Sequence, residues 1–422
     1  MPTDDRFART ATDRYRDLYA LRAAGMSGSE IRALFSVLER PEVISLAGGN
    51  TDTDIVAHRI PDCVAAVLAG PRATGADNPL GYGMSDGVPV LRERLTELMA
   101  LQGIEAAPHQ VLPTDGAQQA LELIGKIFCD PGDLVLTEAP TYVGALQAFQ
   151  SYQVEIRAVP TDGEGLIPEA LVETLAQLAG EGRRAKFIYL VPTFANPSGI
   201  TLSAERRPEI LEICARHDLL VVEDDPYAYV RFEGEDVPAL RSLVDEGIIY
   251  LGTLSKVFSP GMRVGWVLAP EPVRERLLLA KEAADLCSSP FTQMVAATYL
   301  GSGHVEEDLQ MVRKVYRERR DAMADALDAY FPRAAQTRLP EGGLFLWVTL
   351  PSSLDTKAML GRALEQGIAY VPGTAFYPRK ADGLHAMRLN FSYPTIDEID
   401  EGMRRLGAVV NDELELARSL EV

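Results

Sequence analysis

The chain has 422 residues, a length that favours two domains over a single hydrophobic core. Its 61 acidic and 41 basic residues give a formal net charge of −20, which argues against nucleic acid and anionic membrane as its main partners. Its four cysteines are far apart and form no CxxC pair, so the sequence predicts no metal site, no disulfide framework and a reducing, cytoplasmic location.

The N-terminal region is charged and contains one predicted helix. Residues 1–20 include no apolar signal core, and no run of about eighteen apolar residues occurs, so we expect neither a secretion signal nor a membrane-spanning helix. In residues 27–40, Ser27 and Glu30 have the spacing of a capping box, and the apolar residues that follow fall on one helical face. This pattern predicts a helix over 27–40.

The middle of the chain alternates short apolar runs with helical patterns. The apolar runs are nearly continuous, as in strands covered on both faces, and lie at 132–138, 186–192, 219–225, 248–253 and 263–269. Helical patterns lie between them, for example at 141–151, 169–180 and 203–217. This order predicts a parallel α/β sheet. From about residue 305 a long charged helix, followed by mixed strands and helices, predicts a smaller α+β unit with a soft boundary near 303.

Polar side chains follow the predicted strands, where an open parallel sheet binds its ligands. A glycine turn at Gly116 opens a helix and offers backbone N–H groups to an anion. The side chains that follow the strands are Gln118, Tyr142, Asn196, Asp224, Tyr227, Thr253, Ser255 and Lys256. Each has an ordinary structural explanation by itself, such as a solvated loop or a surface lysine. Their joint occurrence at one edge of the sheet indicates a binding site.

This set of groups fits one cofactor. Pyridoxal 5′-phosphate has a phosphate, a phenolic oxygen, a ring nitrogen that works best when protonated, and an aldehyde that a lysine captures as a Schiff base. Lys256 would be held covalently, and Arg263, which lies in an apolar stretch, would pair with the phosphate dianion.

Five ordered motifs resemble those of the fold-type I pyridoxal-phosphate aminotransferases. The motifs are PTDGAQQAL (113–121), EAPTYVGAL (138–146), VPTFANPSG (191–199), VVEDDPY (221–227) and GTLSKVFSPGMRVG (252–265). The similarity runs from about residue 29 to 410 and is greatest for the class I/II branch that includes 2-aminoadipate, kynurenine and aromatic aminotransferases. It implies an α/β fold with a mostly parallel central sheet in a large domain, plus a smaller α+β domain.

The resemblance assigns the catalytic roles. Lys256 is then the Schiff-base lysine and the proton shuttle. Asp224 is the partner of the pyridine nitrogen, because it stands three residues before Tyr227 in the D-x-x-Y spacing of the family, which leaves Asp225 a structural role. Tyr227 and Asn196 would both hydrogen-bond to the phenolic oxygen.

The resemblance also implies how the ring and the phosphate are held. Tyr142 would stack on the ring. The phosphate would be bound by Gly116, Ala117, Gln118, Thr253, Ser255 and Arg263. Family members often have a serine where this chain has Ala117, so one hydroxyl contact is lost while the backbone amide remains.

Two more motifs imply a shared active site and a substrate anchor. The segment 79–95 resembles the one whose tyrosine reaches the cofactor of the neighbouring subunit, which implies a homodimer in which Tyr82 contacts the partner's phosphate. The alternative is a solvent-facing loop tyrosine. Arg388, in MRLNFSY (387–393), matches the arginine that binds the substrate α-carboxylate, with a structural ion pair as the alternative.

The substrate side-chain pocket is less clearly defined. SLAGG, which ends at Gly49, resembles a loop that lies over the substrate, and Asn196 would also contact the substrate. Relatives usually continue with an apolar residue and proline, whereas here 50–54 reads NTDTD, which predicts a more polar wall. Arg32 falls where 2-aminoadipate-type relatives place an arginine for a side-chain carboxylate, although an exposed arginine is equally compatible. Phe376 would form an apolar wall.

The function implied is ping-pong transfer of an amino group between an L-amino acid and a 2-oxo acid. Glutamate or 2-aminoadipate would be one partner and an apolar amino acid the other. Alternatives on the same scaffold are elimination, decarboxylation and oxidation. A regulator fused to a DNA-binding domain is disfavoured, because only about forty residues precede SLAGG, whereas a further domain needs some sixty or more. The expected division is an N-terminal arm and helix at 1–50 packing with the small domain, a cofactor-binding domain at 51–303 and a small domain at 304–422.

Overall fold

The computed structural model describes residues 42–70 and 78–420, together with residues 15, 18–20, 22 and 23. The helix predicted at 27–40, and Arg32 within it, lie outside the described residues. Of the predicted N-terminal arm, the segment from 42 to 50 is described. It includes strand β1, Ile44–Ser45.

Helices cover much of the described chain. The α-helices are α1 (Asp54–Ala57), α2 (Ile60–Ala69), α3 (Pro89–Ala100), α4 (Ala117–Phe128), α5 (Val143–Gln150), α6 (Pro168–Gly180), α7 (Arg206–Arg216), α8 (Glu271–Asp285), α9 (Pro290–Leu300), α10 (Val305–Tyr330), α11 (Thr356–Glu365) and α12 (Ile396–Leu420). Short 3₁₀ helices occupy Pro108–Gln110, Ala228–Val230, Leu240–Ser242, Pro260–Met262, Gly373–Phe376 and Lys380–Gly383. The helices predicted at 141–151, 169–180 and 203–217 correspond to α5, α6 and α7.

Within residues 78–420, eight strands form the larger sheet in the order β2-β9-β8-β7-β6-β3-β4-β5. They are β2 (Val111–Thr114), β3 (Leu134–Ala139), β4 (Glu155–Asp162), β5 (Gly165–Leu166), β6 (Ala185–Leu190), β7 (Leu220–Asp224), β8 (Ile248–Thr253) and β9 (Gly265–Leu268). The pairs β3–β4, β3–β6, β6–β7 and β7–β8 are parallel, which confirms the predicted mostly parallel sheet.

One predicted strand runs against the others. The strand expected at 263–269 is β9, and it pairs antiparallel with both β8 and β2. The reason is the connection from 254 to 264, which is too short for the helical crossover that a parallel pair requires. As a result, the segment that contains Lys256 and Arg263 turns back at the carboxyl end of β8.

The sheet is covered on both faces, as β6 demonstrates. Phe187 and Tyr189 are fully buried in the apolar cluster that includes residues of α4 and α5, and Phe187 packs edge-to-face on Phe149 with ring centroids 5.0 Å apart. Their neighbours Ile188 and Leu190 belong to the cluster on the other face, with residues of α6 and α7. Strands covered on both faces need apolar residues at every position, which explains the continuous runs in the sequence.

The C-terminal unit has a smaller antiparallel sheet. Its strands are β10 (Gln336–Thr337), β11 (Phe345–Thr349), β13 (Val371–Pro372) and β14 (Ala386–Asn390), in the order β10-β11-β14-β13. Helices α10 and α12 pack against each other, and β1 pairs in parallel with β12 (Ile368–Ala369). The structure thus confirms a large α/β domain with a smaller α+β domain. In the described part of the chain, no helix combines the length and apolar character needed to span a bilayer.

Candidate active site

The carboxylate of Asp224 lies buried at the carboxyl end of β7. Its Oδ2 accepts a hydrogen bond of 2.7 Å from the hydroxyl of Tyr189 on the neighbouring strand β6, and no described residue donates to its Oδ1. Burial raises the pKa of Asp224 to about 7, and the charge of Asp225 adds to this, while the Tyr189 hydrogen bond opposes it. A cationic group facing Oδ1 would favour the ionised carboxylate.

Lys256 follows β8 at the same edge of the sheet. Its Nζ donates a hydrogen bond of 2.8 Å to the backbone oxygen of Gly49, in the segment that the sequence predicts to lie over the substrate. Burial of the amine is the main cause that lowers the pKa of Lys256 to about 8, and the positive charges of Arg388 and Arg263 lower it further. The amine is therefore easier to deprotonate than an ordinary lysine, as a proton shuttle requires.

Arg388, on β14, is fully buried and reaches across to the larger sheet. Its Nη1 donates to Oδ1 of Asn196 at 2.9 Å, and its Nη2 donates to the backbone oxygen of Ala47 at 2.7 Å. The guanidinium carbon lies 4.1 Å from the ring centre of Phe345 and 5.0 Å from that of Phe376. Burial lowers the pKa of Arg388 to about 10. No carboxylate pairs with it among the described residues, so the structural ion pair considered as an alternative is absent there.

Tyr227 and Phe376 are buried beside this arginine. The Tyr227 hydroxyl interacts with the side chain of Asn196, and burial raises its pKa above the ordinary value for a tyrosine. The Tyr227 ring packs edge-to-face on Phe345, with centroids 6.1 Å apart. Phe376, expected to be a substrate wall, is completely buried and packs edge-to-face on Trp347 at 5.7 Å. Its direct contact with the site is therefore with Arg388.

The turn between β2 and α4 forms a cradle beside Arg263. Gly116 has a φ of +77°, and a Cβ there would collide with the guanidinium of Arg263. Helix α4 begins at Ala117, so its first N–H groups lack partners within the helix. The Nη2 of Arg263 donates to the backbone oxygen of Asp115 at 2.9 Å. Only glycine permits this approach of a cation to a helix N-terminus, and both features attract an anion.

Two hydroxyls lie beside this cradle, after β8. Thr253 Oγ1 lies 2.9 Å from Ser255 Oγ and accepts a hydrogen bond from the Ser255 backbone N–H at 3.1 Å. Thr253 Oγ1 also lies 3.2 Å from the backbone oxygen of Val264, just before β9. The hairpin of β8 and β9 therefore brings Thr253, Ser255 and Arg263 to the same end of the sheet as Gly116.

The side chain of Gln118 makes contacts inside the chain, and its expected contact with the phosphate stays a prediction. Its Nε2 donates to the backbone oxygen of Gly144 at 3.0 Å, and its Oε1 accepts from the hydroxyl of Tyr142 at 3.3 Å. The side chain thus connects α4 to the start of α5. In this structure its role is to hold Tyr142, the residue expected to stack on the ring.

Polar residues of the segment Asn50–Asp54 make contacts inside the chain, and the polar pocket wall stays a prediction. The carboxylate of Asp52 forms an ion pair of 2.8 Å with Arg319 on α10, and its backbone N–H donates to the hydroxyl of Tyr316 at 3.2 Å. Thr51 is buried and donates to the backbone oxygen of Ser255 at 3.4 Å. The contacts of Thr51 and Asp52 hold the segment between the two units.

Tyr82 is 82% exposed and stands apart from the cluster around Lys256. Leu80 and Met84 beside it are also exposed, at 76% and 61%. No hydrogen bond connects Tyr82 to another described site residue. Arg32 lies outside the described residues, so the structure gives it no position.

Sequence reasoning missed two groups that hold the site together. Tyr189 precedes Asn196 by seven residues in a run that predicts only a strand, and its hydroxyl anchors Asp224. A polar atom in an otherwise apolar buried run was the available signal. Arg319 is one charge among many on a long charged helix, and nothing local distinguishes it from its neighbours.

The comparison with known families explains this arrangement. Residues 41–406 match the family described as aminotransferase class I and II. The chain belongs to this family. The aminotransferase is 40% identical over 402 residues to aromatic-amino-acid aminotransferase 1 of Thermococcus litoralis, and the match covers 95% of each chain.

Solved structures agree with this assignment. Pyrococcus horikoshii kynurenine aminotransferase, in complex with PMP, is 40% identical and superposes with a TM-score of 0.90, covering 96% of this chain and 100% of that chain. The α-aminoadipate aminotransferase of Thermus thermophilus, complexed with N-(5′-phosphopyridoxyl)-L-leucine, is 34% identical with a TM-score of 0.87, covering 95% and 99%. The enzyme therefore transfers an amino group between amino acids and 2-oxo acids and uses pyridoxal 5′-phosphate.

The described residues of the aminotransferase fit this cofactor. Asp224 has a buried oxygen without a donor, which suits a protonated ring nitrogen. The cradle at Gly116 and Arg263 suits a phosphate, and the amine of Lys256 suits an aldehyde. In the described part of the chain, no cluster of three or more histidine, cysteine or acidic side chains has the geometry to hold a metal ion.

Proposed function

We propose that Lys256, Asp224 and Tyr227 carry the proton chemistry of amino-group transfer in this enzyme. The observation that carries the proposal is the buried Lys256 amine, whose pKa is lowered to about 8, held 2.8 Å from the Gly49 oxygen. When bound, pyridoxal 5′-phosphate supplies an aldehyde that captures amines and a protonated ring that accepts electrons. Lys256 would take the proton from the substrate α-carbon and hold it on Nζ for its return in the second half of the proton transfer.

The residues at the carboxyl ends of the strands would orient the reacting groups. The Asp224 carboxylate holds a proton on the ring nitrogen through Oδ1, while Tyr189 fixes Oδ2. Asn196 and Tyr227 present a side-chain amide and a hydroxyl to the phenolic oxygen. The phosphate would be bound by Gly116, Ala117, Gln118, Thr253, Ser255 and Arg263. Tyr142 would lie on the ring, and its hydroxyl donates a hydrogen bond to the side chain of Gln118.

Arg388 is proposed to bind the substrate α-carboxylate. It is completely buried, and its Nε has no acceptor in the described part of the chain. An arginine has five N–H donors in a planar fork, and two of its nitrogens are oriented by Asn196 and Ala47. A buried cation without a carboxylate partner is costly, and a substrate carboxylate removes that cost.

The proposed substrates are an apolar amino acid and a dicarboxylic partner such as 2-aminoadipate or glutamate with their 2-oxo acids. Two observations support this range. The rings of Phe345 and Phe376 lie beside the Arg388 guanidinium, and Trp347 packs on Phe376. The similar enzymes are named for aromatic, kynurenine and α-aminoadipate substrates. Arg32 would bind the second carboxylate of a dicarboxylic substrate, with Gly49 and Asn196 beside the α-carbon.

We also propose a homodimer in which Tyr82 contacts the partner's phosphate. Tyr82 lies in an exposed apolar surface, with Leu80, Met84 and Leu286 exposed by 76%, 61% and 52%. Ser85 Oγ donates to the backbone oxygen of Leu286 at 2.7 Å, which joins the two segments into one surface. An exposed apolar surface of this kind favours association. Sedimentation velocity of the holoenzyme should give a dimer, and Leu80→Asp should weaken it.

The domain division stays a proposal, with boundaries at 50/51 and 303/304. Two observations support it. Strand β1 pairs with β12 of the smaller unit, and residue 303 lies between the end of α9 and the start of α10. A cytoplasmic location is proposed because all four cysteines are free thiols, and Cys63, Cys129 and Cys214 are buried.

Absorbance of the holoenzyme tests the function directly. The purified protein is scanned after addition of single amino acids without any 2-oxo acid. Conversion of the cofactor band to the pyridoxamine form by glutamate or 2-aminoadipate supports the dicarboxylic partner and Arg32. Conversion only by aromatic or aliphatic amino acids would indicate that the apolar rings select the substrate. A cofactor band that no amino acid converts overturns transamination of these substrates and favours elimination, decarboxylation or oxidation.

A further inference from the structure

Residues 46–54, the cover segment, pass between the two units directly over Lys256. The backbone oxygens of this segment are held from both sides. Leu46 accepts from the backbone N–H of Asn390, and Gly49 accepts from Lys256, both at 2.8 Å. The oxygen of Asn50 accepts from Ser392 Oγ, also at 2.8 Å. The position of the Gly49 oxygen therefore depends on contacts made by the smaller unit.

The charged contact of the cover segment is the ion pair of Asp52 with Arg319. The two atoms are 2.8 Å apart, and the side chains are only 19% and 12% exposed. Arg319 also donates through Nη1 to the backbone oxygen of Ser392, so one guanidinium holds the cover segment and the end of β14 together. Ion pairs with this degree of burial are screened less than surface pairs.

We propose that Asp52 and Arg319 are positioning residues that keep the Gly49 oxygen against the Lys256 amine and thereby set the rate of its proton transfers. The proposal rests on the proposed role of Lys256. It assigns a role to the segment 50–54, which reads NTDTD here, whereas relatives usually have an apolar residue and proline after SLAGG.

The backbone of the cover segment explains why such an anchor is needed. Gly48 and Gly49 have no side chains, and a Cβ at Gly49 would have only the Phe345 ring near it, at 3.7 Å. Two successive glycines have high conformational freedom and little packing of their own. Asp52 follows Gly49 by three residues, so fixing Asp52 on α10 limits how far the Gly49 oxygen can move.

The anchor should affect rate more than substrate binding. Lys256 needs its amine aligned with the substrate α-carbon, and a displacement of about 1 Å can slow such a step by up to ~100-fold. Arg388, the residue proposed to bind the substrate carboxylate, is held both by Asn196, outside the cover segment, and by the backbone oxygen of Ala47, within it. Loosening the cover segment should therefore lower the limiting rate by a larger factor than it raises the half-saturating concentration.

The test uses the holoenzyme and a set of matched variants. Asp52→Asn removes the charge at nearly constant size, Arg319→Gln removes its partner, and a third variant combines both changes. Glu413→Gln is the control, because Glu413 is 17% exposed and forms a 2.6 Å ion pair with Arg362 inside the smaller unit, away from the cover segment. Stopped-flow absorbance measures cofactor conversion by an amino acid, and hydrogen exchange measures the backbone amides of residues 46–54.

Asp52→Asn and Arg319→Gln should each lower the limiting rate by about tenfold and speed amide exchange in residues 46–54. The double variant should be no slower than the slower single variant, since both changes remove the same contact. Glu413→Gln should match the wild type in both measurements. If Arg319→Gln does not fold, Arg319→Lys replaces it. This variant should keep the ion pair with Asp52, and on a logarithmic scale it should lower the limiting rate by less than half as much as Asp52→Asn does.

Two results would overturn the anchor. One is an Asp52→Asn holoenzyme with wild-type limiting rate and wild-type exchange. The other is a double variant whose slowing is the product of the single effects, because independent contacts multiply. A wild-type protein that no amino acid converts overturns the proposed function and the anchor with it, whereas wild-type conversion with an unchanged Asp52→Asn overturns the anchor alone.

Discussion

The floor and the cover of the active site are built in different ways. The floor consists of side chains at the ends of β6, β7 and β8, and Asp224 there is 4% exposed and held by the adjacent strand. The cover consists of residues 46–54 and, in the proposed dimer, of residues 78–86 from the neighbouring subunit, where Tyr82 is 82% exposed. A rigid floor keeps reacting groups aligned without reorganisation, whereas a cover has to admit the substrate.

Burial in the floor also creates the unusual ionisation of its groups. It raises the pKa of Asp224 to about 7 and lowers that of Lys256 to about 8, so both shifts favour the neutral form. The floor is thus unfavourable for charge until a ligand supplies a cation for Asp224. The largest effects of substitution are therefore expected in the floor and the smallest in the cover.

Lys256→Ala should have the largest effect. It removes the amine that captures the cofactor and moves the proton, so amino-group transfer should fall by about 10⁴-fold or more. Steady-state assays with and without added methylamine measure the loss and any chemical rescue. Lys186→Ala is the control, since Lys186 is exposed on β6 and pairs with Asp133. Wild-type activity in Lys256→Ala would remove Lys256 from the mechanism.

Asp224→Asn should lower the rate by about 10²–10³-fold, because the ring nitrogen loses the charge that holds its proton. The same substitution should raise the free energy of unfolding of the cofactor-free protein. The raised pKa of Asp224 means that its contribution to stability is present below its ordinary pKa and is lost as the pH rises through about 7.

The stabilisation by Asp224→Asn should therefore grow between about pH 4 and pH 7 and then level off, at ~4 kcal/mol or less. Denaturant unfolding of cofactor-free wild type and variant across this range measures it. The same difference in unfolding free energy between variant and wild type at pH 5 and at pH 8 would contradict the buried-carboxylate account.

Arg388→Lys should raise the half-saturating concentration of the amino acid by about 10-fold to 100-fold, since the charge remains while the planar fork is lost. Arg231→Lys is the matched control. Arg231 is also buried, and its guanidinium carbon lies 4.5 Å from the ring centre of Phe194, but it pairs with Glu341. If both substitutions raise the half-saturating concentration equally, the effect of Arg388→Lys comes from a general loss of stability and not from a lost contact with the substrate.

Tyr82→Phe should have the smallest effect, about a tenfold weaker affinity for pyridoxal 5′-phosphate, from the loss of one hydrogen bond to a charged group. Equilibrium titration of the cofactor-free protein measures this affinity, and Tyr393→Phe is the control because Tyr393 is 56% exposed. Unchanged affinity would favour the solvent-facing alternative for Tyr82. It would also mean that the segment 78–86 does not contribute to cofactor binding through the Tyr82 hydroxyl.

Much of the floor could be predicted from sequence because its residues follow consecutive strands. Asp224, Thr253, Ser255 and Lys256 lie at or just after the ends of β7 and β8, as expected for a parallel sheet. The contact of the Gln118 side chain with Tyr142 could not be predicted, because side-chain direction on the first turn of α4 depends on the helix packed beside it. The pattern also gave no indication that β9 is antiparallel.

The sequence alone determined the fold class and the cofactor and predicted most residues of the floor, because strand periodicity and ordered motifs are local properties of the chain. Only the tertiary structure decided how the cover is held. Asp52 and Arg319 are 267 positions apart, and their ion pair exists because α10 packs beside the segment that follows β1. Contacts between residues so distant in sequence depend on the packing of whole elements, which no local pattern specifies.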